Sequence, residues 1–134
     1  MEISNDELPA LIAVLVAGKF KKNPDDWAVA ASPIVAAIVG RAASALIEYQ
    51  ITKYGPSYEK HALVWRDLEN HQEERTIACQ YAAEQFCRDW SSWDSEKQRG
   101  VIDNLISPFI LDEDGRAAFV NEFLSKSVPG DKSR

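Results

Sequence analysis

The chain has 134 residues, of which 46% are apolar and 27% are charged, and its formal net charge at pH 7 is −6. This length and composition suit one globular domain that buries a core without metals or disulfides. No basic face is evident, which disfavours binding to duplex nucleic acid, because such binding needs many phosphate-neutralising side chains. We predict a single helical domain over residues 1–127 and a flexible tail over residues 128–134.

The first predicted helix runs from Leu8 to about Gly18. Pro9 lies in its first turn, where a missing N–H is harmless, and Gly18 is a natural C-cap. The segment is apolar on nearly every side, so we expect it to be well buried. The residues before it are acidic, unlike the basic start of a secretory signal, and this favours a cytoplasmic location.

The second predicted helix, from about 33 to 54, is the most informative part of the chain. Ser32 and Pro33 form its start, and Gly55 with the following proline stops it. It is rich in Ala and Gly and apolar almost all round, so it must be covered all round. We predict that it is the central helix of a bundle. The alternatives are a membrane span and an oligomer interface.

A narrow face without bulk runs along this second helix, formed by Ala36, Gly40 and Ser44. Small residues four apart let another helix approach closely, either within the chain or from a second copy. A stable membrane span is disfavoured, because Arg41 would cost about 2.5–3.5 kcal/mol inside a bilayer and two aspartates flank the apolar run.

Further helical patterns complete an all-α fold of five to six helices. Apolar residues recur at helical spacing before and after a wholly polar interval at 69–75, then over about 95–107 and from 112 onwards. The polar interval is either the exposed middle of one long helix or a loop between two helices.

The two cysteines, Cys79 and Cys87, are eight residues apart, about 12 Å along one helix, so they cannot form a disulfide with each other there. Unpaired cysteines fit a reducing compartment, and Cys79 falls on the buried stripe.

The six residues from Arg66 to His71 resemble the R-x4-H motif of HEPN domains, a family of small all-helical ribonucleases. The resemblance implies RNA cleavage at a dimer interface. Arg66 would stabilise phosphate charge, and His71 would act in acid–base chemistry or bind phosphate. The same segment also fits a solvated helix face. We favour that interpretation, because the acids that follow His71 would repel an RNA backbone.

Two tryptophans and a group of acidic residues indicate contact with a partner protein. Trp90 and Trp93 lie at a helix end beside charged residues, and exposed tryptophan is a common interface hot spot. The acidic residues of the preceding helix would steer a basic partner; they are Asp67, Glu69, Glu73 and Glu74. No zinc, calcium or di-iron motif and no cofactor motif is evident.

The leading interpretation is therefore a small acidic, non-enzymatic module that binds a partner protein with a basic surface. Inhibitors, immunity-type partners of toxins and assembly subunits are examples of this class. The two alternatives are a dimeric ribonuclease that uses Arg66 and His71, and a structural homo-oligomer that packs through the Ala36/Gly40/Ser44 face.

Overall fold

A computed structural model of the chain describes the backbone of residues 3–132 and the side chains of residues 3–126. This part of the chain folds into six α-helices and has no strand, which confirms the predicted all-α class with five to six helices. The helices are α1 Leu8–Lys19, α2 Pro33–Tyr54, α3 Glu59–Arg66, α4 Gln72–Gln85, α5 Ser95–Ile106 and α6 Glu113–Lys132. The predicted tail, residues 128–134, lies wholly outside the described side chains, and its flexibility stays a prediction.

The helix α2 begins and ends at the residues predicted from the sequence, and local capping interactions fix both ends. The Ser32 hydroxyl accepts a hydrogen bond from the Val35 N–H at 3.2 Å, and Pro33 occupies the first helical position. At the other end Gly55 has φ = 100°, a conformation that glycine adopts without steric cost. These signals are local, so the sequence alone could predict them.

The polar interval after α3 is a break between two helices. Asp67 accepts a hydrogen bond from the Glu69 N–H at 3.0 Å and starts a 3-10 turn over Leu68–Asn70. The backbone here pairs with a distant segment: Leu68 N–H donates to Ile110 O at 3.0 Å, and Ile110 N–H donates to Arg66 O at 2.8 Å. This pairing uses backbone groups that a continuous helix would need for its own hydrogen bonds.

The larger hydrophobic core lies between α4, α5 and α6. Phe119 and Phe123 of α6 are fully buried there, as is Cys79 of α4. Burial, with a smaller effect of the Glu122 carboxylate, raises the pKa of the Cys79 thiol to about 11. Cys79 therefore remains a protonated core residue near neutral pH, as its position on the apolar stripe predicted.

The helix α2 is exposed along one side, so it is not covered all round as its apolar composition predicted. Its buried residues are small, namely Ala36, Val39, Ala42 and Ala43, while Ile34 is 73% exposed. Small side chains permit close packing against α1 but bury little apolar area. The larger Phe, Ile and Leu side chains elsewhere build the main core instead.

The helix α1 is also covered on one side only, which corrects the expectation that it is well buried. Leu8 and Ile12 pack on Ala42 and Ala43 of α2 in a second, smaller cluster. On the opposite side Val14 is 69% exposed. Hydrophobicity all round the helix indicated complete burial, but in this chain too few elements are available to cover both α1 and α2.

The face of small residues on α2 serves an internal contact at its N-terminal end. The Ser107 hydroxyl, just after α5, donates to Ala36 O at 2.9 Å. A Cβ atom added at Gly40 would lie 3.5 Å from the Ser107 hydroxyl oxygen. Ser44 is exposed and takes no part in this contact. Ala36 and Gly40 thus lie at an internal contact, and the alternative in which this face forms an oligomer interface stays a prediction.

Lys19 at the end of α1 is buried, although lysine side chains are mostly exposed in folded proteins. Only 1% of it is exposed. Its ammonium donates to Asn104 O at 2.7 Å and to Leu105 O, two carbonyls in the last turn of α5. A cation is favourable at a helix C-terminus, but burial lowers the pKa of the Lys19 amine to about 7. Lys19 thereby joins α1 to α5.

Candidate functional site

The two tryptophans predicted to contact a partner lie in the turn between α4 and α5. Both are half-buried. The Trp90 ring packs edge-on against Phe123 at 5.1 Å between ring centroids, and the Trp93 ring packs edge-on against Phe86 at 5.8 Å. Each indole thus has one side in the core and another near solvent. Its truncation would remove core contacts as well as any contact with a partner.

Trp90 forms one wall of an open cleft of about 290 Å³ between α5 and α6. The Gln98 side-chain amide donates to Trp90 O at 2.8 Å, which fixes the turn against α5. Polar and apolar side chains contribute to its lining in about equal measure. The lining residues are Trp90, Ser95, Gln98, Arg99, Ile102, Glu113, Arg116, Ala117, Val120 and Asn121.

The rim of this cleft carries charges of both signs. Glu113 accepts from Arg99 and from Arg116, each at 2.8 Å, and Arg116 also reaches Asp103 at 2.8 Å. The hydrogen bond from Arg99, then its charge, lowers the pKa of the Glu113 carboxyl. Arg116 Nε is buried without a hydrogen-bond partner among the described residues. The cleft therefore combines apolar side chains with paired charges.

The acidic residues predicted to steer a partner are largely paired within the chain. Glu69 lies 3.3 Å from Arg75, whose guanidinium also bonds Glu122 at 2.6 Å. Glu73 lies 3.2 Å from Lys22. Exposed pairs of this kind contribute about 0–1 kcal/mol, yet they reduce the local negative potential.

The structure separates the acidic residues from the tryptophans. Asp67, Glu69, Glu73 and Glu74 lie at or before the N-terminal end of α4, whereas Trp90 follows its C-terminal end. The 14 residues of α4 extend about 20 Å. The predicted residues consequently form two surfaces.

The residues from α5 and α6 that line the Trp90 cleft were not predicted from the sequence, because nothing local in the sequence shows which helices pack together.

Arg66 and His71 bond to different parts of the fold. Arg66 Nε donates to Pro108 O at 3.0 Å, and its terminal nitrogen donates to Gly40 O at 3.4 Å. His71 Nε2 lies 2.6 Å from Trp65 O, and its ring stacks on Phe109 at 4.1 Å. Since the guanidinium is engaged with backbone carbonyls, it is poorly placed to bind phosphate. The ribonuclease interpretation stays a prediction without supporting geometry.

His71 contributes to a second open pocket, of about 290 Å³, between α1, α2 and α3. Its lining is mainly apolar and includes Ile12, Trp65 and Phe109, and its two titratable residues are His71 and Glu74. No group of three or more His, Cys, Asp or Glu side chains able to hold a metal ion occurs among the described residues. This pocket therefore has one titratable pair and no arrangement for metal chemistry.

No family model matches the chain, and no curated protein or solved structure matches it closely enough to indicate a relationship. Within the described residues, α2 is the one helix long and apolar enough to cross a membrane, and only 22% of its most apolar window is buried inside the fold.

Proposed function

We propose that this chain is a non-enzymatic protein-interaction module that binds a partner protein at the Trp90 cleft. The observation that carries the proposal is the cleft itself, which combines an indole wall, apolar side chains and the paired charges of Arg99, Glu113 and Arg116. Tryptophan and arginine beside apolar groups are typical of a binding hot spot.

The partner that fits this proposal has a basic surface. The net charge of −6 attracts a cationic protein over several ångströms and raises its association rate. Contact within the cleft then supplies affinity and register. Binding at this surface should weaken as salt is added, since salt screens the long-range attraction.

A variant that fills the cleft tests the proposal. Ala117 lines the cleft, while the next residue of α6, Ala118, is also exposed but lies outside the lining. We expect Ala117→Trp to lower the affinity for the partner at least tenfold and Ala118→Trp to leave it unchanged. Both variants should keep the helical circular dichroism of the wild type, because both sites are exposed.

The measurement begins with affinity purification from the native cells, using all three proteins and quantitative mass spectrometry. A protein retained by the wild type and Ala118→Trp but lost with Ala117→Trp is then purified and titrated calorimetrically at two salt concentrations. Equal retention of every bound protein by the two tryptophan variants would contradict the cleft as the binding site.

A further inference from the structure

A stripe of exposed residues runs along the outer side of α2, opposite its contact with α1. We call it the outer stripe; its members follow a 4-3-4-3-4 spacing and are Ile34, Ile38, Arg41, Ala45, Glu48 and Thr52. Such spacing keeps the residues on one side of a helix and is typical of a seam between two helices. All six are exposed in the isolated chain.

Two charges interrupt the stripe, and neither has a partner among the described side chains. Among the described residues, no ion pair or side-chain hydrogen bond involves Arg41 or Glu48. The two are seven residues apart, about 10.5 Å along the helix, so they do not bond each other. Between them lies only the short side chain of Ala45, which allows a second helix to approach closely.

We infer that a second copy of this chain covers the outer stripe, with the two α2 helices antiparallel about a two-fold axis between positions 44 and 45. In this register Arg41 faces Glu48 of the partner subunit, and Glu48 faces Arg41 of the partner subunit. The stripe is thus complementary to itself, as a two-fold interface requires. Ile38 then packs near position 51 of the opposite helix.

Space for the incoming side chain exists beside Glu48. An open groove of about 340 Å³ is lined by Asn5, Ala45, Glu48, Tyr49 and Thr52. Arg41 of the partner subunit can enter this groove and reach the Glu48 carboxylate. Partial removal of such a pair from water strengthens its attraction relative to an exposed surface pair.

The same charges argue against a lipid surface as the occupant of the stripe. Helices that lie on membranes place their charges on the polar face and are commonly rich in Lys and Arg. Here an acid and a base lie at the middle of the exposed stripe, in a chain of net charge −6 that anionic lipids repel. A protein surface with the opposite order of charges can pair with both Arg41 and Glu48, whereas the interior of a bilayer can pair with neither.

Charge reversal tests this interface, which is independent of the Trp90 cleft. We expect the wild type to be a dimer by light scattering coupled to size-exclusion chromatography. Arg41→Glu and Glu48→Arg should each raise the dissociation constant at least tenfold, and the double variant should restore dimerisation. Circular dichroism and thermal melting check that each variant folds, since all changes are at exposed positions.

Cysteine cross-linking tests the antiparallel register, in a Cys87→Ser background with Cys79 buried. Ala45→Cys should form a disulfide between copies under mild oxidation. Thr52→Cys should not, because in this register the two Thr52 positions lie 15 residues apart, about 22 Å. Cross-linking of both would indicate a parallel pair and overturn the proposal.

A monomeric wild type, or single reversals that leave the dimer intact, would also overturn the proposal. Sedimentation of a monomeric wild type with phosphatidylcholine vesicles would assign the outer stripe to a membrane surface instead. Each of these outcomes leaves the test of the Trp90 cleft unaffected, because Ala117 and the outer stripe lie on different helices.

Discussion

At the scale of single residues, burial of polar side chains is the feature that sequence reasoning handled least well. Lys19 and Arg66 both look like surface residues in the sequence. In the structure each donates to two backbone carbonyls and joins elements far apart in the chain. Their hydrocarbon stems pack inside while the charged ends find acceptors, which local composition does not reveal.

The first prediction at this scale concerns the pH dependence of stability. Lys19 has a pKa of about 7 in the folded chain and about 10.4 when unfolded. Above pH 7 the unfolded state therefore binds more protons, and the free energy of unfolding should rise by up to about 1.4 kcal/mol per pH unit. Urea denaturation between pH 7 and 8.5 measures this slope. The Cys79 thiol contributes in the opposite sense towards pH 8.5, because its pKa is about 11 in the folded chain and about 8.5 when unfolded, and this contribution cancels in a comparison with a variant that keeps Cys79.

The matched variant is Lys19→Met, which keeps the length of the side chain and removes the titrating group. Its free energy of unfolding should lack this rise over the same pH range, whatever its absolute stability. An equal slope in both proteins would show that other groups cause the pH dependence.

Arg66 gives the second prediction. Arg66→Ala removes two hydrogen bonds from a charged, half-buried donor and leaves two carbonyls short of a partner, so we expect a loss of about 2 kcal/mol. Chemical denaturation measures it. Arg88→Ala, at an exposed arginine, serves as the control and should change stability by less than about 0.5 kcal/mol. A loss for Arg66→Ala no larger than for the control would contradict a structural role.

At the scale of elements, the sequence predicted helices best where their signals are local. The start and end of α2 follow from Ser32, Pro33 and Gly55, whose effects depend on neighbouring residues only. The break after α3 could not be decided from the sequence, because the pairing of Leu68 with Ile110 stabilises it across more than 40 residues. The Trp90 cleft was missed for the same reason. The two tryptophans were identified, but the helices that line the cleft come together only in three dimensions.

Two glycines inside helices distinguish an internal contact from an open surface. A Cβ atom at Gly40 would meet Ser107, whereas nothing lies within 4 Å of one at Gly100 in α5. Gly40→Leu should therefore lower the free energy of unfolding by about 1–3 kcal/mol through overpacking. Gly100→Leu should raise it by up to about 1 kcal/mol through better helix propensity. Thermal melting of the two variants makes the comparison, and equal shifts would contradict the internal contact at Gly40.

At the scale of the whole molecule, surface that remains uncovered is more informative than the core. Hydrophobicity around α1 and α2 predicted that both helices are covered on every side. Each is covered on one side only, because the described part of the chain has too few elements to cover both. The Trp90 cleft and the outer stripe of α2 lie on different helices. One chain can therefore pair with its own copy and still leave a site for a different protein.

The division of the core into two clusters has a consequence for how the molecule opens. Among the described residues, the cluster between α1 and α2 contains four buried residues, against sixteen in the main cluster. The contact between α1 and α2 therefore buries less apolar area than the contacts among α4–α6, while Phe20, Trp27 and Ala30 hold the segment that joins α1 to α2 in the main cluster. We expect the amide hydrogens of α1 and α2 to exchange with solvent when this contact separates, at a lower free energy than global unfolding requires. If a second copy covers α2, it suppresses that opening, and assembly and local rigidity are then thermodynamically linked.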